Sequence, residues 1–317
     1  MPTFIAEESV PEDLSRLLTI SDHRGVIDID VVAEALRSDR VVLIRNLTPE
    51  QAEVVISDTA AKFGLGDSLE LQAGLASITG HRANRGKYFM TVNARAEYQF
   101  ITPHSEGSSF SSMQLAAFYC YENTTDGGES VLMNVDSDSP AWSGLRESQR
   151  RATVTRPLSR REAARAKVLY QVSVPNGLQA QDRVISEIPT EIPGLTLLEV
   201  LAPVPATPCR ILAKTVRVYW DSVASIDLTC GKQYGELLRV SELLRVPPDG
   251  FDLARLDNAF PRRIWDSGTE FSKLFRCKVT RKLCPGDLMI NNNMSWTHSA
   301  NNWSPSSGTR KIVAAFA

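Results

Sequence analysis

From Tyr88 onward the apolar residues of this chain come in short runs closed by turn sequences. Tyr88 to Val92 (YFMTV), Met113 to Tyr121 (MQLAAFYCY), Glu129 to Asn134 (ESVLMN), Val168 to Val172 (VLYQV), Val216 to Trp220 (VRVYW), Asp287 to Ile290 (DLMI) and Arg310 to Phe316 (RKIVAAF) each have the length of a strand. Thr125-Asp126-Gly127-Gly128 is a turn sequence between two of them. Short strands that follow one another through turns build antiparallel sheets. The pattern predicts a mainly β fold, a sandwich or jelly roll with flanking helices, and argues against a doubly wound parallel sheet.

The helices are expected mostly before those runs. Val31 to Leu36 (VVAEAL) is apolar on one face and follows Asp28-Ile29-Asp30, which offers N-cap carboxylates. Arg40 to Arg45 (RVVLIR) reads as a strand buried on both faces. Thr48-Pro49-Glu50-Gln51 then supplies an N-cap, a proline at the first helical position and a glutamine three residues past the cap, so a helix should run to about Phe63 and stop at Gly64. The segment from about 140 to 165 also reads as helical. Its basic residues, from Arg146 to Lys167, are expected on a solvated helical face.

With 317 residues, 35 Lys+Arg and 37 Asp+Glu, the chain is nearly neutral. That balance gives no overall footprint for nucleic acid or for a membrane surface. No apolar run approaches the ~20 residues that span a bilayer. Met1 to Glu8 has neither a basic start nor an apolar core, so it does not read as a secretory signal. The five cysteines (120, 209, 230, 277 and 284) are odd in number and form no C-x-x-C pair, which points to reduced, mostly buried thiols in a cytoplasmic protein.

The chain has four histidines. His23, between Asp22 and Arg24, reads as an exposed polar residue, and His81 as part of a surface or structural loop. His104 lies in Thr102-Pro103-His104-Ser105-Glu106-Gly107. In extended backbone, residues i and i+2 share a face, so His104 and Glu106 present an imidazole and a carboxylate side by side. His298 lies far downstream, after Pro285-Gly286-Asp287, an apolar run and a polar loop, and Arg310 follows twelve residues later at the start of the last run. Two histidines and one carboxylate form the facial triad that binds Fe(II) and leaves positions open.

Taken in order, these features resemble the taurine dioxygenase (TauD/TfdA) family of Fe(II)/2-oxoglutarate-dependent oxygenases, in its clavaminate synthase-like H-x-E form. The resemblance covers most of the chain. It rests on the Arg40–Arg45 strand and the Thr-Pro-Glu-Gln helix, the triplet His104-Ser105-Glu106, the run through Phe118-Tyr119-Cys120, Gly127-Gly128-Glu129-Ser130, Pro285-Gly286-Asp287, Asn293, His298 and Arg310. It implies a double-stranded β-helix (jelly roll, cupin-like) core within one catalytic domain, 1–317, with an N-terminal addition over about 1–85 and a lid insertion over about 140–275.

The resemblance also implies roles. His104, Glu106 and His298 match the iron ligands, and Arg310 the arginine that pairs with the distal carboxylate of 2-oxoglutarate. A guanidinium fork suits that task. Ser130 stands where the family usually has a co-substrate-binding threonine, and Asn293 is expected to fix the loop behind the ligands. The region upstream of the triplet makes Gln99, Asn93 and Arg95 expected substrate contacts. Trp296 and Trp303 bracket His298 and are expected to wall the site. The implied cofactors are Fe(II), 2-oxoglutarate as co-substrate, and O2. Related halogenases replace the carboxylate ligand by a small residue, whereas Glu106 occupies that place here.

The expected function is oxidation of a C–H bond in a small organic molecule, foremost hydroxylation, in natural-product or amino-acid-derived metabolism. Desaturation, epoxidation, cyclisation or rearrangement would use the same residues. A non-catalytic metal-binding jelly roll has no use for Arg310. A zinc hydrolase of the H-E-x-x-H type lacks its motif. The expected partner is a small-molecule substrate, with no nucleic acid and no membrane. A homo-oligomer and a carrier-protein partner are left open.

Overall fold

The computed structural model describes residues 10–21, 26–79, 82–92, 101–106, 113–140, 142, 145–174, 176–203, 218–220, 245, 250 and 271–317. The N-terminal part forms as the sequence predicts. After β1 (Leu17–Ser21), α1 (Ile29–Arg37) starts at Asp28, whose carboxylate accepts from the backbone N–H of Asp30 and Val31. β2 (Val41–Arg45) is buried on both faces along its first four residues. α2 (Pro49–Lys62) opens on a complete capping box: the Gln51 N–H donates to Thr48 Oγ1 at 3.3 Å, and the Thr48 N–H to Gln51 Oε1 at 2.8 Å. Phe63 caps its end, and Gly64 follows with φ +69°.

α3 (Gly66–Thr79) is a helix the sequence reading lacks. Its residues Leu69, Leu71, Ala73 and Leu75 alternate as in a strand, and two glycines weaken it. Packing decides the matter. Leu69 and Ala73, four apart, are buried against the first sheet with α1 and α2, while Leu71 is exposed.

Two sheets make the core. The first has the order β1-β2-β12-β5-β14-β3, with β3 (Met90–Thr91), β5 (Leu115–Asn123), β12 (Leu288–Asn292) and β14 (Arg310–Phe316). The second has the order β11-β6-β13-β4, with β4 (Ile101–His104), β6 (Ser130–Val135), β11 (Phe275–Arg281) and β13 (Trp296–Ala300). The chain crosses between sheets at each step β4-β5-β6 and again at β11-β12-β13-β14. That alternation is the winding of a double-stranded β-helix, the jelly roll expected from the sequence. Val41, Leu43, Cys120, Met289 and Ile312 of the first sheet meet Leu132, Cys277, Val279 and Trp296 of the second in one cluster between the sheets. The other face of the first sheet packs on α1, α2 and α3. β1 and β2 pair in parallel, the exception to an otherwise antiparallel set of ladders among the named strands.

Between β6 and β11 lies a third sheet of order β10-β7-β9-β8, with β7 (Leu145–Val154), β8 (Arg183–Pro189), β9 (Leu195–Pro203) and β10 (Val218–Trp220). Here the sequence reading needs correction. The segment from 140 to 165 is not one helix but β7 followed, beyond Pro157, by α4 (Arg160–Tyr170). Ser159 and Glu162 form a capping box that marks the true start. The expected strand Val168 to Val172 is largely the end of α4, which stops at Gln171 in the left-handed region. The basic residues therefore split between a strand and a helix. Arg151 is buried in a two-pronged pair with Asp182, Nε to Oδ2 at 2.7 Å and Nη2 to Oδ1 at 3.1 Å.

Two smaller differences concern the core itself. Only Met90–Thr91 of the run Tyr88 to Val92 pairs as a strand, because Tyr88 and Phe89 turn into the cluster under the helices. His298, read as following a polar loop, sits in the middle of β13. Among the described residues no helix is long and apolar enough to cross a membrane. Cys120 and Cys277 are buried free thiols, Cys284 is exposed, and Cys209 and Cys230 lie outside the described residues.

Candidate metal centre

β4 and β13 are neighbours in the second sheet, and their register sets His104 opposite His298. The two imidazoles lie 4.4 Å apart, centroid to centroid. Glu106 follows β4 by two residues and turns its carboxylate back to both. Its Oε1 is 3.9 Å from His104 Nε2 and 3.8 Å from His298 Nε2. One ligand atom from each of the three residues falls within 4.8 Å of the others. Donors sharing an ion at ~2.1 Å can be at most ~4.2 Å apart, so both carboxylate–imidazole separations admit a divalent first-row metal. The donor set, two imidazole nitrogens and one carboxylate oxygen, is the facial-triad set.

Asn293 holds the bend that presents Glu106. Its Oδ1 accepts the Glu106 N–H at 3.2 Å, and its Nδ2 donates to the carbonyls of Glu106 and Met113, each at 2.8 Å. Burial alone would push the Glu106 carboxyl up. The interaction with His298 and the fields of His104, Arg82 and His298 outweigh it, so the carboxyl is held far below the usual range. Arg82 joins the site without any motif or periodic signal to mark it. Its Nη2 donates to Glu106 Oε1 at 3.1 Å, and its guanidinium lies 5.5 Å from the centre of the Phe316 ring.

Arg310 opens β14 at the other side of the same cavity. Its Nε donates to the Gly128 carbonyl at 3.1 Å, and its guanidinium lies over the Trp303 ring at 5.7 Å. Burial pulls its pKa down to about 10, so it is still a cation at neutral pH. Gly128 has φ +73°, and a Cβ there would lie 2.9 Å from Arg310 Cδ. The glycine is needed both for the turn and for the approach of the arginine. Ser130, the first residue of β6, lines the cavity beside it.

The cavity encloses about 80 Å³. His104, Glu106, His298, Ser130, Arg310 and Arg82 supply most of its polar lining, and Phe118, Leu132, Ile312 and Phe316 much of its apolar wall. Phe118 and Phe316 are legible after the fact: they alternate with the helix-facing residues of β5 and β14 and so face between the sheets. Trp296 does not reach the site. It shares a face with His298 but lies one residue pair deeper, opposite Asn134, fully buried, with its indole N–H on Asp39 Oδ1 at 3.1 Å. Its expected role as a substrate contact is thereby corrected to a core one. Gln99, Asn93 and Arg95 lie outside the described residues, as do His23 and His81.

No protein-family model and no curated protein matches the sequence. Among solved structures the chain is similar to PvcB of Pseudomonas aeruginosa, with a TM-score of 0.40 and 13% identity over 95% of this chain and 85% of that one. PvcB is an Fe, alpha-ketoglutarate dependent oxygenase from an isonitrile synthetic pathway. AAD-2 in complex with Mn(II) and N-oxalylglycine gives 0.42 and 11%, over 97% and 96% of the two chains. A taurine dioxygenase from Burkholderia xenovorans gives 0.38 and 12%, over 97% and 88%. Overlaps this loose carry no chemistry of their own, and what the site can do rests on its residues.

Proposed function

We propose that the protein is an Fe(II)/2-oxoglutarate-dependent oxygenase that oxidises a C–H bond of a small organic substrate, foremost by hydroxylation. The observation that carries this reading is the sharing of one cavity by His104, Glu106 and His298 on one side and Arg310 with Ser130 on the other. A metal site alone would have no use for a buried arginine that, among the described residues, forms no ion pair with a carboxylate and contacts the Gly128 carbonyl and the Trp303 ring; a co-substrate with a terminal carboxylate does.

In this reading His104, Glu106 and His298 would hold Fe(II) through two imidazoles and one carboxylate. When bound, iron and 2-oxoglutarate supply the oxidising power, with succinate and CO2 as co-products. The chain's own part is to position. Arg310 and the Ser130 hydroxyl fix the distal carboxylate, Asn293 holds Glu106 in place, and Phe118 and Phe316 offer an apolar wall to the substrate. The carboxylate at position 106 favours oxygenation over halogenation.

The wider assignments belong to the same reading. Residues 1–317 act as one catalytic unit, the segment of about 140–275 contributes substrate selection, and the protein works in the cytoplasm on a product of natural-product or amino-acid-derived metabolism. Gln99, Asn93 and Arg95 are the upstream substrate contacts. The test is direct. Anaerobic addition of Fe(II) and 2-oxoglutarate should give a weak visible charge-transfer band, and a substrate screen should give succinate. Absence of the band, together with O2 uptake independent of 2-oxoglutarate, would overturn the assignment.

A further inference from the structure

Two arginines line the cavity that holds His104, Glu106 and His298, and the function proposed above uses one of them, Arg310. The other is Arg82. Its backbone is set by the return of the chain into β3: the Ala83 N–H donates to Thr91 Oγ1 at 3.0 Å, the Thr91 N–H donates to the Ala83 carbonyl at 2.8 Å, and β3 is laddered on β14. The side chain lies over the Phe316 ring at 5.5 Å, with Nη2 on Glu106 Oε1 at 3.1 Å and Nη1 on Met90 Sδ at 3.7 Å. It keeps 22% exposure, so it reaches the cavity without being sealed in the wall.

Two observations point from this arginine to a ligand. The first is its donors. A guanidinium carries five N–H groups in one plane, and a thioether is a weak acceptor, so among the described residues Glu106 is the one strong partner of Arg82. The second is charge. With a divalent ion, the dianion 2-oxoglutarate, Glu106 and Arg310 in place, the charges cancel, and among the described lining residues Arg82 is left as one uncompensated cation. A half-buried charge without its counter-charge is costly. Arg310 does not relieve it. Arg310 begins β14 and Phe316, under Arg82, ends it, roughly 20 Å of strand later, so each guanidinium serves its own anion.

We propose that Arg82 is a specificity-determining residue and that the substrate is a small organic monocarboxylate, held by its carboxylate on the edge of this guanidinium. The inference deepens the oxygenase reading and rests on it for the charge balance. A planar carboxylate matches the arginine fork with two parallel hydrogen bonds, and a single negative charge cancels the remaining positive one. A cavity of about 80 Å³ suits a small molecule. Because Arg82 touches Glu106, the substrate carboxylate is held beside the ligands, and the C–H bond to be oxidised lies a few bonds from it. Phe316, stacked under the guanidinium, then faces the carbon chain of the substrate.

The test uses the full chain with Zn(II) in place of iron and saturating 2-oxoglutarate, so that Arg310 is occupied and no turnover occurs. Saturation-transfer NMR is run against propionate through octanoate and phenylacetate, each paired with its primary amide. At least one carboxylate should bind about 10–150-fold more tightly than its amide, the range of hydrogen bonds to a charged group. In Arg82→Gln that ratio should fall to within about threefold of unity, and Arg82→Lys, which keeps the charge without the fork, should recover part of it. The ratio is internal to each variant, so a metal site loosened by loss of the Glu106 contact weakens both ligands alike and leaves it unmoved. Should the glutamine variant fail to fold, Arg82→Met carries the same expectation. No carboxylate preference in the wild type, or a preference that survives in a folded Arg82→Gln protein, would overturn the proposal. An Arg82-dependent preference in a protein that gives neither charge-transfer band nor succinate with Fe(II) would instead sink the oxygenase reading and leave the anion site standing.

Discussion

His104 and His298 are cross-strand partners: one hydrogen-bonded ladder, β4 on β13, sets two imidazoles from opposite thirds of the chain 4.4 Å apart. A slip of one residue in that ladder would turn one ring to the other face of the sheet. The site is therefore only as well defined as the register, and the register is held by the pairing of β13 with β6 on its other side.

Loss of His104 or of the Glu106 carboxylate should be severe. His104→Ala or Glu106→Gln should weaken Co(II) or Fe(II) binding by more than about 100-fold, beyond the 10–100-fold typical of outer partners. Calorimetric titration of the metal into the folded apoprotein checks this. Retention of wild-type affinity would remove the residue from the ligand set.

Arg310 should act on the co-substrate and not on the metal. Hydrogen bonds to charged groups contribute about 1.5–3 kcal/mol, so Arg310→Ala should weaken 2-oxoglutarate binding roughly 10–150-fold while metal affinity stays near wild type. Arg310→Lys should recover only part, since an ammonium lacks the planar fork. The pKa of about 10 sets the pH response: the cation is the binding form, so affinity should hold through neutral pH and fall as pH rises through about 10. Charge-transfer titrations across pH measure both.

Gly128→Ala places a side chain in the left-handed region and against Arg310 Cδ and Thr125 Oγ1, both 2.9 Å from the new Cβ. Strain of this type costs about 1–3 kcal/mol. The variant should melt lower and bind 2-oxoglutarate more weakly, because the arginine has to shift. Thermal unfolding together with co-substrate titration separates the two effects.

Asn293→Ala removes three hydrogen bonds that fasten the Glu106 bend. Leaving buried backbone groups unpaired should cost about 1–3 kcal/mol of stability, and metal affinity should drop by about 10–100-fold. Asn293→Asp should be no milder in denaturant titrations, because it sets a buried carboxylate oxygen against the carbonyls of Glu106 and Met113, which now accept from Nδ2.

The Arg151–Asp182 pair concerns the third sheet. Arg151→Ala leaves a buried carboxylate without its partner and should destabilise the fold by about 3–5 kcal/mol, whereas the double change Arg151→Met with Asp182→Leu should come close to wild type. Burial would raise the Asp182 carboxyl, but its bonds to Arg151 and to the Gln179 N–H keep it below the usual value. A lowered carboxyl stabilises at neutral pH and loses that contribution as pH falls through the folded value. The alanine variant should therefore show a flatter acid limb in unfolding curves.

Much of the frame was legible because it is local. The capping box at Thr48 and Gln51 and the strand Arg310–Phe316 are properties of a few adjacent residues, and they form where the pattern puts them. The nearness of His104 and Glu106 is expected from the period of a strand, but β4 ends at His104, and it is a bend fastened by Asn293 that brings the carboxylate back to the imidazole. What was illegible depends on distant partners. Leu69 to Leu75 alternate like a strand and become a helix because the first sheet needs an apolar cover. β7 carries enough charge to read as a solvated helix, and only Asp182, 31 residues away, explains why Arg151 can be buried. Trp296 and His298 look equivalent in sequence, yet Asp39, on the far side of the chain, draws the indole into the core. Arg82 left no local trace at all.

β6 and β11 are hydrogen-bonded neighbours, Val135 beside Phe275 through Ser130 beside Arg281. To the two core sheets, everything between those strands, the third sheet and α4 included, is the loop of a single hairpin. Closing a longer loop costs only about 0.6 kcal/mol for each doubling of its length. The insertion can thus be lengthened, shortened or exchanged with little effect on the ladders that hold His104, His298 and Arg310. The stretch between β6 and β11 and the ladders around the cavity can therefore vary independently of one another.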